Sequence, residues 1–283
     1  AINAETGIDC FDGWVRELVE TNYLHNHARM WFASIWIFTL KLPWQLGASL
    51  FLQHLLDGDP ASNTLSWRWV GGLHTKGKTY CARADNIHRF TAGRYNPHGQ
   101  LAAFAPPLDE DTDHPRLSPP ASTPWQDWGR YGLLLTEEDG NSESLDLPHP
   151  PAALATLPPA ATCGPVPLSD KVLAFRDALQ GDAALRAAAH FGIKVDPVSK
   201  RDPQGVLDWA RREKLETIVV SHPPVGPTRD WISAVETRLS GTGISCHTQL
   251  RPYDRHLWPH ANAGFFKVKK KIPRILQSMN MQL

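Results

Sequence analysis

One arginine and two aspartates in the first sixty residues have the types and positions of a charged binding site. Arg29 lies in a mainly apolar run, and Asp57 and Asp59 follow the next apolar run. A charge in apolar surroundings is costly unless it is paired, so the sequence predicts an ion pair between Arg29 and a carboxylate. One interpretation is a structural salt bridge. The other is a site for the edge of a planar heterocycle, whose N–H group would face a carboxylate and whose acceptors would face cationic or amide donors.

Tryptophans are concentrated in the same part of the chain. Six of the eleven precede residue 70, namely Trp14, Trp31, Trp36, Trp44, Trp67 and Trp69. Indoles are oxidisable and large enough for edge-to-edge contacts, so a file of buried tryptophans can carry electrons. The alternative is that they are core aromatics, which suits Trp14, Trp31 and Trp36 well.

Helices must position these residues. The apolar spacing predicts a helix over residues 13–21 with Asp12 as its N-cap, a second over residues 25–40 and a third over residues 44–56. Pro43 enforces the end of the second. Beyond the sequence Asp-Gly-Asp-Pro at residues 57–60, we expect irregular structure to about residue 96.

A change of composition divides the chain. Fourteen of the 24 prolines lie in residues 97–167, which is typical of a connector, although residues 131–136 form a short β-like run. Residues 168–283 alternate helix and strand patterns, which predicts a small parallel α/β unit. We therefore expect a helical domain over residues 1–100, a Pro-rich linker with one short strand over 101–167, and a small α/β domain with a basic tail over 168–283.

Composition and charge exclude several classes of protein. Lys+Arg and Asp+Glu both number 29, so any basic surface must be local. The four cysteines have no CxxC spacing, which argues against a metal site or a disulfide framework. The longest apolar stretch, residues 31–40, is too short to span a bilayer, and no signal peptide is apparent. We expect a cytoplasmic protein, and the start at Ala1 without Met predicts a fragment of a longer one.

Three blocks resemble the DNA photolyase and cryptochrome family: YLHNHARM at residues 23–30, HLLDGDPASN at 54–63 and SWRW at 66–69. Their order and spacing, and TG…FDGWVREL at residues 6–18, are similar to that family over residues 6–100. The resemblance implies an α-helical FAD-binding photolyase-type domain, present in part and lacking its upstream half, followed by the Pro-rich linker and the small α/β parallel-sheet domain.

The resemblance implies a set of flavin-binding residues. Arg29 and Asp57 match the pair beside the flavin N5 edge, and Asp59 matches a carboxylate on the pyrimidine side of the ring. Asn63 matches the residue that faces N5, although an asparagine here is also typical of a turn or cap. The complete set implied for FAD is Asn26, Arg29, Asp57, Gly58, Asp59 and Asn63.

The resemblance also implies a route for electrons. Trp67 and Trp44 match the proximal and middle members of the tryptophan chain that photoreduces the flavin, and the third member would lie upstream of Ala1. With Asn63, these two tryptophans are the predicted catalytic residues.

Damaged DNA is the implied partner. Met30 and Trp69 match positions that line a pocket for an extruded pyrimidine dimer, where flat apolar surfaces replace the lost base stack. Asn26 and His27 match the flavin–DNA boundary. Lys76 and Lys78 lie in a following basic loop suited to phosphate contacts, although an ordinary solvated loop is the alternative.

The C-terminal part is less specific. Residues 217–252 faintly resemble the later strands of the photolyase antenna domain, which implies an antenna chromophore as an option. No Gly-rich phosphate loop accompanies them, so the sequence does not support that chromophore. The tail over residues 264–274 combines basic and aromatic residues. The preferred interpretation is a solvated helix end, and the alternative is a contact with nucleic acid.

The leading hypothesis is a deoxyribodipyrimidine photolyase-type lyase. Excited reduced FAD would donate an electron to a cyclobutane pyrimidine dimer, the dimer would split and the electron would return. A (6-4) photoproduct as the lesion and a cryptochrome-type blue-light photosensor without repair are the alternatives. A non-flavin DNA-binding or interaction protein is a third.

Overall fold

The chain forms two compact units. The computed structural model describes residues 1–115, 117–119, 128–162, 164, 166–198, 201–262 and 265–280. One unit, here called the helical unit, comprises Ala1–Asp113 and Ala161–Phe175; the other, the sheet unit, comprises His114–Ala160 and Arg176–Leu283. None of the helices built by the described residues combines the length and the apolar character that crossing a bilayer requires.

Five helices form the helical unit up to residue 90. They are α1 (Asp9–Thr21), α2 (Asn26–Ser34), α3 (Trp44–His54), α4 (Pro60–Val70) and α5 (Ala84–Phe90). A π-helical turn, Ile35–Thr39, extends α2, so the helix predicted over residues 25–40 is confirmed as one helical run. The prediction of irregular structure up to residue 96 was wrong, because Asp59 caps α4 and Pro60 occupies its first turn, where a missing N–H is tolerated.

Asp12 does not cap α1 as predicted, because the helix begins three residues earlier, at Asp9. The buried Asp12 carboxylate instead accepts hydrogen bonds from the Thr6 amide at 3.0 Å, the Thr6 hydroxyl at 2.8 Å and the Gly7 amide at 3.1 Å. It therefore fixes the segment that leads into α1.

We expect Asp12→Asn to reduce stability most at neutral pH. Burial alone raises the pKa of the Asp12 carboxyl, but hydrogen bonds from Thr6 and Gly7 and the charge of Arg16 outweigh it and lower the pKa. A carboxyl with a lowered folded-state pKa stabilises the fold above its unfolded pKa of about 3.9 and loses that contribution as the pH falls through the folded value. The variant should lose about 1–2 kcal/mol at pH 7, and this difference should shrink in acid.

Urea denaturation of both proteins from pH 7 to pH 3 measures this difference. Asp9→Asn, on the exposed face of the same helix, is the matched control. A stability difference that does not change with pH would contradict the assignment.

The core of the helical unit is aromatic. Phe11, Phe32, Trp36, Phe51 and Trp67 are all buried and form a continuous set of ring contacts. At the centre, the Trp67 ring lies against the backbone of α3, where a side chain at Gly47 would overlap it. Packing of α2, α3 and α4 against one another thus depends on a glycine facing the largest aromatic residue.

The sheet unit contains a five-stranded parallel sheet with the order β3-β2-β1-β4-β5. Its strands are β1 (Tyr131–Leu135), β2 (Ala153–Thr156), β3 (Val195–Pro197), β4 (Thr217–Ser221) and β5 (Ser245–Gln249). The parallel sheet agrees with the predicted fold class. The expectation of a single strand within residues 101–167 was incomplete, because β2 lies there as well as β1.

Helices follow these strands. They are α6 (Asp170–Phe191), α7 (Pro203–Arg212), α8 (Pro227–Leu239), α9 (Pro252–Leu257), α10 (Phe265–Lys269) and α11 (Ile272–Ser278). Strands β1 and β4 are buried along their whole length, as expected for central strands covered on both faces.

A buried ion pair occupies the point where the strand order reverses, between β1 and β4. Ligands of such sheets bind in the crevice outside the carboxyl ends of the strands at this point. Here one Arg201 nitrogen donates to both Glu137 oxygens, at 2.9 and 3.0 Å, and to the Pro158 carbonyl at 2.9 Å, and the other donates to the Thr228 hydroxyl at 3.0 Å. Protein side chains therefore satisfy one another here, and the described part of the sheet unit adds no support for an antenna chromophore.

Candidate functional site

The turn between α3 and α4 presents the two aspartates. Asp57 and Gly58 lie in the turn, where the Gly58 amide donates to the Leu55 carbonyl at 3.2 Å. Asp59 ends it, and its carboxylate accepts a hydrogen bond of 2.6 Å from the Ser62 amide as the N-cap of α4. Because Asp59 is tied to the helix start, its carboxylate has a fixed position.

The first turns of α2 present Asn26, Arg29 and Met30, whose i, i+3 and i+4 spacing puts them on one face of the helix. The Arg29 guanidinium donates to both oxygens of Asp57 at 3.0 Å and to the Leu24 carbonyl at 2.8 Å. The predicted pairing of Arg29 with a carboxylate is therefore present. It is less buried than expected, since the side chain of Asp57 is 60% exposed and that of Arg29 is 24% exposed.

Helix α4 supplies Asn63 from one of its faces. The Asn63 amide nitrogen donates to the Ala48 carbonyl of α3 at 2.9 Å. A carbonyl can only accept a hydrogen bond, so the amide is oriented with its nitrogen toward α3. The Asn63 oxygen is then the atom available to other donors.

These elements enclose a cleft of about 720 Å³. Its walls combine apolar side chains, among them Phe51 and Leu55, with the charged groups at the α3–α4 turn. Of the predicted site residues, those that line it are Asn26, Arg29, Met30, Asp57, Gly58, Asp59, Asn63, Trp67 and Trp69. Three helices thus bring together residues as far apart in the sequence as Asn26 and Trp69.

Four predicted site residues lie outside the lining of this cleft. Trp44 is half-buried, with the Arg68 guanidinium 6.0 Å from its ring centroid. His27 packs against the rings of Trp31 and Phe90. Lys76 and Lys78 are both exposed, and Lys76 pairs with Asp113 at 3.3 Å.

Other residues of the cleft were not expected from the sequence. Ser62 and Ser66 line it from α4, and His74 lines it from the following turn. The signal that could have found the two serines is the Asp59-Pro60 helix start, because a helix from residue 60 puts 62, 63 and 66 on one face.

Two aromatic surfaces of the cleft differ in exposure. Trp69 is 40% exposed, and its ring stacks on Tyr80 with ring centroids 5.7 Å apart. Burial raises the pKa of the Tyr80 phenol, so this neighbour stays neutral at physiological pH. Trp67 is fully buried, and its indole N–H has no hydrogen-bond partner among the described residues.

Comparison with known proteins finds a match over the helical part of the chain. Residues 2–129 match the model of the FAD-binding domain of DNA photolyase. This part of the chain is similar to the photolyase and cryptochrome family. FAD is the cofactor of that domain.

Three relatives show the range of similarity. A deoxyribodipyrimidine photo-lyase of Thermus thermophilus is 36% identical over 103 residues, which are 36% of this chain and 24% of the relative. One of Vibrio cholerae is 34% identical over 97 residues, 34% of this chain and 20% of the relative. Cryptochrome-1 of Arabidopsis thaliana is 33% identical over 95 residues, 34% of this chain and 14% of the relative.

The chain thus spans less than a quarter of the length of these relatives. No solved structure matches the chain.

The donors and acceptors of the cleft fit one edge of a flavin ring. The Arg29 guanidinium is a donor, while the Asp57 and Asp59 carboxylates and the Asn63 oxygen are acceptors. The volume is also in the range of about 300–1,000 Å³ in which proteins bind organic ligands.

Proposed function

We propose that this protein carries out FAD-dependent, light-driven repair of cyclobutane pyrimidine dimers in DNA, as a deoxyribodipyrimidine photolyase-type lyase. One observation carries the proposal: a single cleft joins the charged Arg29–Asp57 edge to the exposed, flat surface of Trp69. A flavin and an extruded pyrimidine dimer need these two kinds of surface, side by side.

On the cofactor side, Arg29 and Asp57 hold the N5 edge of the ring, and Asp59 accepts from the N–H of its pyrimidine part. Asn26 and Gly58 complete the contacts from the start of α2 and from the turn. When bound, FAD supplies the light-excited electron that splits the dimer. The protein's contribution is to orient the ring and to exclude competing reactions.

Asn63 is the residue that faces N5 in this proposal. With its amide nitrogen held by the Ala48 carbonyl, it presents an oxygen to the cleft. An amide oxygen accepts a hydrogen bond from an N–H, as the reduced ring offers, and it has no proton to give. Asn63 thus favours the reduced cofactor that repair requires.

Trp67 is the proposed electron donor closest to the cofactor, since it both lines the cleft and contacts the buried aromatic core. Trp44 is proposed as a donor further along the same route. Repair by a chemically prereduced protein would not depend on either residue, whereas photoreduction of the oxidised cofactor would.

On the DNA side, Met30 and Trp69 offer apolar surface to the extruded dimer. Asn26 and His27 lie at the boundary between cofactor and DNA. Lys76 and Lys78 contact phosphates, which gives affinity without reading sequence.

We expect Trp69→Ala to lower the preference for dimer-containing over intact duplex DNA. Stacking on an aromatic side chain is worth about 1–3 kcal/mol per base, so discrimination should fall by about one order of magnitude or more. The double variant Lys76→Ala with Lys78→Ala is the matched comparison. This double variant should bind both duplexes more weakly, by the same factor, and its affinity should depend less steeply on salt concentration.

Binding of both duplexes across a salt series, with the longest natural form of the protein, measures these effects. Light-dependent loss of dimers from a damaged oligonucleotide by the prereduced protein tests the activity itself. Equal binding of damaged and intact DNA by the parent protein, with no loss of dimers under blue light, would refute the repair function.

A cryptochrome-type photosensor is the second candidate, favoured by the match to Cryptochrome-1 at an identity close to that of the photo-lyases. It predicts a flavin that responds to light in a protein without preference for dimers. The same two assays separate it from repair.

A further inference from the structure

We propose that the basic tail of the sheet unit, residues 265–274, binds single-stranded DNA without regard to sequence or damage. The chain has equal numbers of basic and acidic side chains, 29 of each, yet no Asp or Glu follows Asp254. The cations of the tail are Lys267, Lys269, Lys270, Lys271 and Arg274. Positive charge is therefore concentrated in one short segment, which is the electrostatic footprint of a nucleic-acid contact.

The fold does not use these cations. All five are exposed, and none of them forms a salt bridge with another residue that the structure describes. The arginines just before the tail differ, since Arg251 pairs with Asp139 at 2.6 Å and Arg255 with Asp146 at 3.7 Å. Cations without a carboxylate partner remain free to neutralise phosphates.

Two aromatic side chains are exposed in the same segment. Phe265 is 65% exposed and Phe266 is 76% exposed, and their ring centroids are 5.8 Å apart. The aliphatic residues Val268, Ile272 and Ile275, in contrast, are half-buried or buried. Exposed rings beside lysines are the combination on which the bases of a single strand stack while its backbone follows the positive charge.

An anionic membrane is the other partner that basic and aromatic residues attract. A helix at a membrane surface lies with its whole apolar face in the lipid. Here the tail consists of the short helices α10 and α11, and α11 packs against α9 with Ile275 only 6% exposed. Its apolar face is thus occupied by protein, which favours nucleic acid over lipid.

The exposed rings also decide between the forms of nucleic acid. Paired bases are covered by their neighbours in a duplex, so the rings can stack on unpaired bases alone. Proteins that select RNA bind its 2′-hydroxyl, which is both a donor and an acceptor, whereas the ammonium and guanidinium groups of the tail only donate. The choice of DNA rests on the proposed function, because that function already acts on DNA.

Fluorescence anisotropy of the full chain with labelled oligodeoxyadenylate, in the dark, measures the binding. A strand of about 20 nucleotides exceeds the sites of about 4–16 nucleotides at which single strands are held. Adenines form no pyrimidine dimer, so the proposed lesion pocket takes no part. Phe265→Ala with Phe266→Ala should lower the affinity for this strand about tenfold or more and leave the affinity for an intact duplex unchanged. Phe104→Ala, which removes a ring of the helical unit that is 83% exposed, is the control.

Lys269→Gln with Lys270→Gln should instead weaken binding of single strand and duplex alike. Each phosphate contact contributes about 0.7 to the slope of log affinity against log salt concentration on a single strand, so this slope should become less steep by about 1.4. Lys194→Gln with Lys214→Gln is the charge-matched control, since both lysines are exposed in the same unit. That variant should bind as the parent does.

A further measurement needs no variant. Ultraviolet crosslinking of oligodeoxyadenylate to the parent protein, followed by mass-spectrometric mapping, should place adducts at Phe265 or Phe266 rather than at Trp69. Should the tail variants fail to fold, this measurement decides alone.

Parent affinity for the strand in the aromatic variant overturns the proposal, and if that variant instead loses binding to phosphatidylserine vesicles, the tail is a membrane surface. Loss of strand binding in Trp69→Ala also overturns it, since the contact then lies in the cleft. Tighter binding of oligoriboadenylate overturns the choice of DNA. A protein that binds oligodeoxyadenylate through the tail but repairs no dimers refutes the proposed function and retains this contact, so the two failures are distinguishable.

Discussion

Replacing Glu137 with alanine is expected to lower the free energy of unfolding of the sheet unit by about 3–5 kcal/mol, since removing one partner of a buried ion pair leaves the other charge uncompensated. The Glu137 side chain is 4% exposed and that of Arg201 is 19% exposed. Without Glu137, the hydrogen-bond partners that Arg201 keeps among the described residues are the Pro158 carbonyl and the Thr228 hydroxyl. Neither carries the negative charge that the buried guanidinium needs.

Asp182→Ala is the matched control for this loss. Asp182 also pairs with an arginine, Arg186, at 2.9 Å, but its side chain is 64% exposed. An exposed pair of this spacing contributes about 0.3–0.5 kcal/mol, so this variant should stay close to the parent. Hydrogen exchange of the amides in β1 and β4 reports on the sheet unit directly. Similar protection in the two variants would show that the Glu137–Arg201 pair does not stabilise the sheet.

Asp57→Ala is expected to weaken FAD binding about ten- to hundredfold with little effect on the stability of the cofactor-free protein. A hydrogen bond to a charged group contributes about 1.5–3 kcal/mol, which corresponds to that loss of affinity. The pair with Arg29 is too exposed to contribute more than about 1 kcal/mol to folding. Loss of cofactor without loss of fold therefore identifies a binding residue.

Titration with FAD, followed by quenching of flavin fluorescence, measures the affinity, and urea denaturation without FAD measures the stability. Asp85→Ala is the control, because Asp85 is an exposed carboxylate paired with Arg83 and is not part of the cleft lining. An Asp57→Ala protein that binds FAD as the parent does would show that this carboxylate is not a cofactor ligand.

The sequence was sufficient for those features that depend on local pattern or on the cost of a charge. The helical run from residue 26 to 39 follows from apolar spacing and from Pro43. The pairing of Arg29 with an aspartate follows from the cost of an unpaired charge. How much water reaches that pair depends on the open side of the cleft, which no local pattern encodes.

Other features depend on packing between distant segments. Helix α4 was missed because its polar residues obscure the apolar period, although Asp59 and Pro60 mark its start. Helical spacing shows that Trp36 and Trp67 can be buried, but not that they touch. The position of β2 beside β1 likewise depends on strand pairing. Strand β2 has only four residues, Ala153–Thr156, and this is too short a strand pattern to recognise within a Pro-rich segment.

The order of strands in the sheet has a consequence for how the chain can be assembled. Strand β1 comes first in the sequence yet lies in the middle, and its second neighbour, β4, is formed only by Thr217–Ser221. Until that segment has been synthesised, one backbone edge of a strand that is entirely buried in the final fold lacks its β4 partner, and such edges promote association between chains. Closing the sheet also requires contacts between segments far apart in sequence, which are slow to form. A growing chain therefore passes through an interval in which one edge of β1 is open to association with other chains.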